Sequence, residues 1–283
     1  MKKVKRKTNV LRLILLILIA VLVIALVGLG VIKVVQMLKG APKEEEVVEV
    51  EPEQVSLTKE EQAYADANPD LSADEVKMRV KMGLNKDPYT DMKPVPDTES
   101  MLQLVNKYYY LEPDYEPADL VPVSSSGENY PVYMRLEAGE AFEQMVAAAA
   151  EEGFILNACS AYRSYQYQEE LFSTGEANYG LEYADAYWTR PGSSEHQTGL
   201  SVDIRMDNDL SDLDAVRYNE HYDWLLDHMA DYGFILRYPD DKEVYTQIAP
   251  ESWHLRYVGV DAAKEIYKNK WCFEEYCYYK NLY

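Results

Sequence analysis

Acidic side chains are missing from the first 40 residues of this 283-residue sequence, which hold eight Lys/Arg. Removing those eight positive charges from the net −21 leaves −29 for residues 41–283. A body that acidic repels polyanions, which excludes a phosphate-tracking role on nucleic acid. Cysteine is scarce, at three residues. Cys159 lies in an apolar run and reads as a small buried side chain. Cys272 and Cys277 would be able to pair in an extended tail, whereas a helix would point them apart. Histidine is limited to four residues and phenylalanine to five, against 25 tyrosines. Tyrosine suits half-buried sheet and rim positions, and wet grooves that contact sugars or peptides. There are no internal repeats.

No charge interrupts Leu13–Ile32, twenty residues that match the length a helix needs to cross a bilayer. Lys2, Lys3, Lys5, Arg6, Lys7 and Arg12 precede this run. Such a basic flank stays in the cytoplasm, so the C-terminal bulk is expected outside the cell membrane as a single-pass protein. The run is longer than the apolar core of a cleaved signal peptide, and neither a clean small-x-small site nor a lipobox cysteine follows. The segments expected are a cytoplasmic tail over 1–12, an uncleaved signal-anchor over 13–32, an acidic tether with a short helix over 33–84, and a catalytic domain over 85–283. Residues 41–57 read as the self-repelling part of the tether. Ser72-Ala73-Asp74-Glu75 is a capping-box pattern for the short helix, which ends near Gly83 as a spacer or as the first element of the domain.

Residues 88–123 read as irregular structure on the surface. A helix is predicted from Leu136 to Glu152, stopped by Gly153, then a strand over 154–159. Ser164 caps a helix with Tyr167, Leu171 and Phe172 on one face. Leu200–Ile204 is a strand, and 222–232 a helix with Trp224, Leu225, Met229 and Tyr232 inward. Three short strands (234–237, 244–248, 253–258) and a closing helix over 261–269 follow. The absence of a regular βαβ rhythm gives an α+β fold: a small, mainly antiparallel sheet with flanking helices.

The chemistry gathers in three stretches: Ser160-Ala-Tyr-Arg-Ser-Tyr165, Arg190-Pro-Gly-Ser-Ser-Glu-His-Gln-Thr-Gly-Leu-Ser-Val-Asp203, and Glu251-Ser-Trp-His254. His221 and His228 share a predicted helix with aromatics and read as rim residues. His196 and His254 each have a carboxylate at a set spacing. With Asp203 they form a candidate ligand set for one Zn²⁺, which accepts nitrogen and oxygen in a tetrahedron and keeps a fourth place for water. Glu251, three residues before His254, suits a general base. Arg163 follows a strand end, where its guanidinium suits either a developing oxyanion or a substrate carboxylate. The bland readings are a capping role for Glu251 and a salt bridge for Arg163.

Together these three stretches resemble the signature blocks of the VanY-type D-alanyl-D-alanine carboxypeptidases, zinc peptidases that share the hedgehog-like fold. The blocks occur in the family's order within residues 85–270. The resemblance implies zinc on His196, Asp203 and His254, with Glu251 as base. It also implies that Arg163 polarises the scissile carbonyl and that Gln168 and Ser194 line the pocket for the substrate's C-terminal residue. The implied partner is the peptidoglycan stem peptide, whose terminal D-Ala is removed. Two alternatives stay open: L,D-carboxypeptidase action on tetrapeptide stems, and a cell-wall-binding module without activity. The tether and the Tyr- and Cys-rich tail lie outside the blocks.

Overall fold

A computed structural model describes residues 56–125 and 131–282. They belong to one compact unit, Val55–Tyr283. The expected tail, the anchor and residues 33–55 of the tether segment lie outside the described residues. No helix among the described residues is long and apolar enough to cross a membrane.

The chain runs α1 (Lys59–Ala67), α2 (Ala73–Met82), β1 (Lys93–Pro94), β2 (Tyr109–Tyr110), β3 (Leu120–Val123), β4 (Val132–Arg135) and α3 (Leu136–Glu151). It continues through β5 (Leu156–Ser160), α4 (Tyr165–Tyr179), α5 (Leu181–Tyr187), β6 (Ser201–Met206), α6 (Tyr222–His228), β7 (Phe234–Tyr238), α7 (Glu243–Thr246), β8 (Glu251–Tyr257), α8 (Val260–Asn269) and α9 (Phe273–Lys280). Short 3₁₀ turns precede β6 and flank α6. The central sheet has four strands in the order β5-β6-β8-β7, all antiparallel. This is the α+β architecture expected.

Helix ends follow the local chemistry. The Ser72 hydroxyl accepts from the Glu75 amide, and Gly83 closes α2 at φ +89°, a conformation that costs glycine little. Val76, Met78 and Met82 of α2 are buried, so this helix packs as part of the unit rather than standing off as a spacer. The Ser164 hydroxyl caps α4 by accepting from the Tyr167 amide. The buried face of α4 is Gln168, Phe172 and Gly175, while Tyr167 is exposed. Once the cap fixes the start of the helix, a 3.6-residue repeat carries 168, 172 and 175 inward and turns Tyr167 away.

Two readings change more. Residues 244–248 are not a strand but the end of α7 with Gln247 left-handed at φ +59°. Tyr238 and Glu251 pair across β7 and β8, so the residues between them must reverse direction, and one helical turn does so with local hydrogen bonds. Residues 88–123 are also more regular than expected, with β1 and β2 pairing in parallel and β3 pairing with β4. The tail is helical: Cys272 caps α9, Cys277 lies within it, and both thiols are buried and unpaired to each other. Cys159 is only half-buried, its thiol donating to the Asp203 carbonyl at 3.3 Å. His221 stacks on Phe154 with ring centroids 4.6 Å apart, a rim packing role.

The main core lies between the sheet and α3, with Phe142, Met145, Leu156, Ile204 and Leu255 fully or almost fully buried. On the order of 1.5–3 kcal/mol per such side chain holds the sheet to its helix. That fixed platform sets the positions of the polar residues on β6 and β8.

Candidate metal centre and active-site cavity

Asp203 on β6 and His254 on β8 are directly paired across the central strands. Both side chains are buried, and His254 Nδ1 lies 3.1 Å from Asp203 Oδ1. His196 comes from the turn before β6. Its Nδ1 lies 2.6 Å from the Ala161 carbonyl, so it carries the hydrogen and donates, which leaves Nε2 free as a ligand. That Nε2 is 3.3 Å from Asp203 Oδ2. Gly199 lets the chain leave the turn at φ +67°, where an added Cβ would come within 3.0 Å of Leu120 Cδ2.

One ligand atom from each of His196, Asp203 and His254 lies within 4.8 Å of the others. Asp203 Oδ1 is buried without a hydrogen-bond partner, although two histidine nitrogens converge on this carboxylate. Two imidazoles and one carboxylate, dry and convergent, are the donor set of an open zinc site, so the residues fit that ion.

Glu251 opens β8 opposite Tyr238, beside an irregularity in the β7 pairing. Such breaks in register re-aim side chains. Its Oε2 is 3.4 Å from His254 Nδ1. Burial raises the Glu251 carboxyl, His254 opposes the rise and Asp203 adds to it, and the result is a pKa of about 7. Burial pushes His196 down, with help from the Arg163 charge, to about 4. Burial also acts to lower His254, but the Asp203 and Glu195 carboxylates that face its two nitrogens outweigh it and lift the imidazole to about 9. Burial works to raise Asp203, yet His196 and Arg163 hold it well below the ordinary aspartate value.

Arg163 donates from Nη2 to Asp203 Oδ2 at 2.5 Å and from Nε to Ser160 Oγ at 2.8 Å. Both its expected position at a strand end and the salt-bridge reading are therefore present. Gln168 donates to the Thr189 carbonyl at 2.8 Å, while its Oε1 is buried without a partner. Ser194 is buried beside it. These two, with Arg163, His196, Asp203, Glu251 and His254, line a single cavity of about 120 Å³. Every site residue expected from the sequence thus meets in one place.

The sequence reading missed Tyr187 and Trp188 on one wall, Tyr238 behind His254, and Glu195 beneath the histidines. Trp188 lies flat on Gly175, where a Cβ would approach its Cε3 to 2.7 Å. No sequence spacing marks that contact. Glu195 adjoins His196 in the chain, and that adjacency was the available signal; its burial is seen only in the structure.

The sequence profile of the VanY family, D-alanyl-D-alanine carboxypeptidase, matches residues 131–260. YodJ of Bacillus subtilis, which carries the name of a carboxypeptidase, is 42% identical over 190 residues, covering 65% of this chain and 70% of that protein. The chain belongs to the VanY family. Two solved structures agree with that membership. The LdcB LD-carboxypeptidase matches with a TM-score of 0.62 and 41% identity, over 66% of this chain and 90% of its own. A mutant of the vancomycin-resistance D,D-pentapeptidase VanY, in complex with Zn(II), matches with a TM-score of 0.54 and 32% identity, over 62% and 98%. This VanY-family protein is a zinc metallocarboxypeptidase of the D-alanyl-D-alanine type, and His196, Asp203 and His254 are the candidate site for its metal.

Proposed function

We propose that this protein is a membrane-anchored, outward-facing enzyme that removes the C-terminal D-Ala from peptidoglycan stem peptides. The observation that carries the reading is the meeting of two histidines, Asp203, Glu251 and Arg163 in one buried cavity. His196, Asp203 and His254 would hold the ion. Zinc, when bound, supplies Lewis acidity at the scissile carbonyl and makes a water molecule more acidic. Glu251 is placed to accept a proton from a water that adds to the scissile carbonyl carbon and to return it to the amine nitrogen as the C–N bond breaks, a task suited to a base near neutrality. Arg163 donates to the carbonyl oxygen as negative charge develops. Gln168 and Ser194 line the place of the terminal residue. Gln168 Oε1, buried and without a partner, offers the substrate an acceptor.

The anchor reading rests on the charge-free run 13–32 after six basic residues. It puts residues 1–12 in the cytoplasm and the catalytic unit at the cell wall, joined by the acidic segment between them. Protease shaving of intact cells tests this arrangement. The catalytic unit should be released, and an untouched unit would refute an outward orientation.

A second reading is L,D-carboxypeptidase action on tetrapeptide stems. It is favoured by the likeness to LdcB, higher in both identity and TM-score than the likeness to the D,D-pentapeptidase. Mass spectrometry of synthetic pentapeptide and tetrapeptide stems after incubation with the enzyme separates the two. Loss of one alanine from the D-Ala-D-Ala pentapeptide supports the first reading, and trimming of the tetrapeptide alone supports the second.

A further inference from the structure

Glu274 lies on α9, beyond the residues matched by the family profile. Its carboxylate takes both ends of the Arg237 guanidinium, Nη1 to Oε2 at 2.8 Å and Nη2 to Oε1 at 2.6 Å. The remaining Arg237 donor, Nε, goes to Glu195 Oε1 at 2.7 Å. The same oxygen accepts from Arg256 Nη1 at 2.8 Å. Arg256 is anchored in turn to the carbonyls of Met101, Gln103 and Tyr257. All four charged residues are essentially inaccessible to water. Two arginines and two glutamates balance one another, as buried charges must.

This arrangement fixes the direction of Glu195. Its Oε1 is held by two arginines, which leaves Oε2 buried, without a hydrogen-bond partner, 3.6 Å from His254 Nε2. The other nitrogen of that ring faces Asp203. A ligand histidine almost always donates its second N–H to such an acceptor, which sets both the ring orientation and the nitrogen offered to the ion. Tying α9 to the body would need only the Glu274–Arg237 pair. The tie continues, however, through Arg237 to a carboxylate facing a candidate ligand.

We propose that Glu274 is a positioning residue for the metal centre, acting through Arg237 and Glu195 to hold His254 with Nδ1 toward the ion. The inference rests on the zinc reading above. With Glu274 neutral, Arg237 has a claim on both Glu195 oxygens, and Oε2 is drawn away from His254.

The test uses the full chain. Zinc affinity is measured by competition with a chromophoric chelator, and the visible spectrum is recorded after Co²⁺ substitution. Glu274→Gln should weaken zinc by about 10–100-fold, the usual effect of losing a ligand's supporting partner, and should shift the Co²⁺ bands. Cys277→Ala, in the same helix and outside the network, should lower the melting temperature and leave both readouts unchanged. Zinc affinity within twofold of wild type for Glu274→Gln, with an unchanged Co²⁺ spectrum, would overturn the proposal even if that variant melts earlier. If Glu274→Gln does not fold, Glu274→Asp, which keeps the charge but shortens its reach, is read in the same way: a shift in both readouts supports the proposal and wild-type values overturn it. Failure of the wild-type protein to bind zinc would instead refute the underlying metal reading, and this is seen before any variant is compared.

Discussion

Arg163 Nη2 lies 2.5 Å from Asp203 Oδ2, so the arginine at the cavity is paired with a candidate metal ligand. Among the described residues lining that cavity it is the single Arg or Lys. One cation therefore both pairs with the candidate ligand and faces the cavity. Arg163→Ala should keep its zinc, because His196, Asp203 and His254 remain. The loss should fall mainly on kcat, by roughly 10²–10³, the usual worth of one donor to an oxyanion. Steady-state kinetics with metal analysis checks this. A change confined to KM would mean that Arg163 only clamps the substrate carboxylate.

Glu251→Gln keeps the shape of the side chain and removes the proton acceptor. General acid–base catalysis is typically worth about 10²–10⁴ in rate, so kcat should fall at least that far with zinc content near wild type. His254→Ala should lose metal and activity together. Turnover within about tenfold of wild type by a zinc-loaded Glu251→Gln enzyme would remove Glu251 from the role of base.

Metal binding should depend on pH through His254. In the metal-free protein its imidazole is lifted to about 9. It is therefore protonated at pH 7, and the proton must leave before Nδ1 can accept an ion. Raising the pH removes that competitor, so apparent zinc affinity should climb about tenfold per pH unit toward 9 and level off above it. Stability of the metal-free protein moves the other way. The raised His254 value contributes stability that is complete below the ordinary histidine value of 6.5 and lost as pH rises through about 9. Chelator competition and thermal melts across pH 6 to 10 would measure both (~1-unit steps suffice).

Gly175→Ala sets two effects against each other. Helix propensity alone favours alanine by about 1 kcal/mol. The new Cβ, however, meets Trp188 at 2.7 Å, and overpacking of this kind typically costs about 1–3 kcal/mol. The net result should be a lower melting temperature. KM should also rise more than kcat falls, because Trp188 walls the cavity. A higher melting temperature with KM unchanged would show that Trp188 yields freely.

The sequence by itself determined the fold class, the helix starts at Ser72 and Ser164, and the seven side chains that meet in the cavity. These are local or motif-borne properties: a capping hydroxyl acts within one turn, and the spacings His196–Asp203 and Glu251–His254 lie within single segments. Tertiary structure decided what depends on partners distant in the chain. The turn between Tyr238 and Glu251 made a helix of residues read as a strand, because strand pairing on either side forces a reversal there. The flat contact of Trp188 on Gly175 joins two elements and leaves no trace in local spacing. The tail was legible only as Tyr- and Cys-rich. Its link to the metal centre runs through Glu274, Arg237 and Glu195, and burial makes those charges bind one another rather than water.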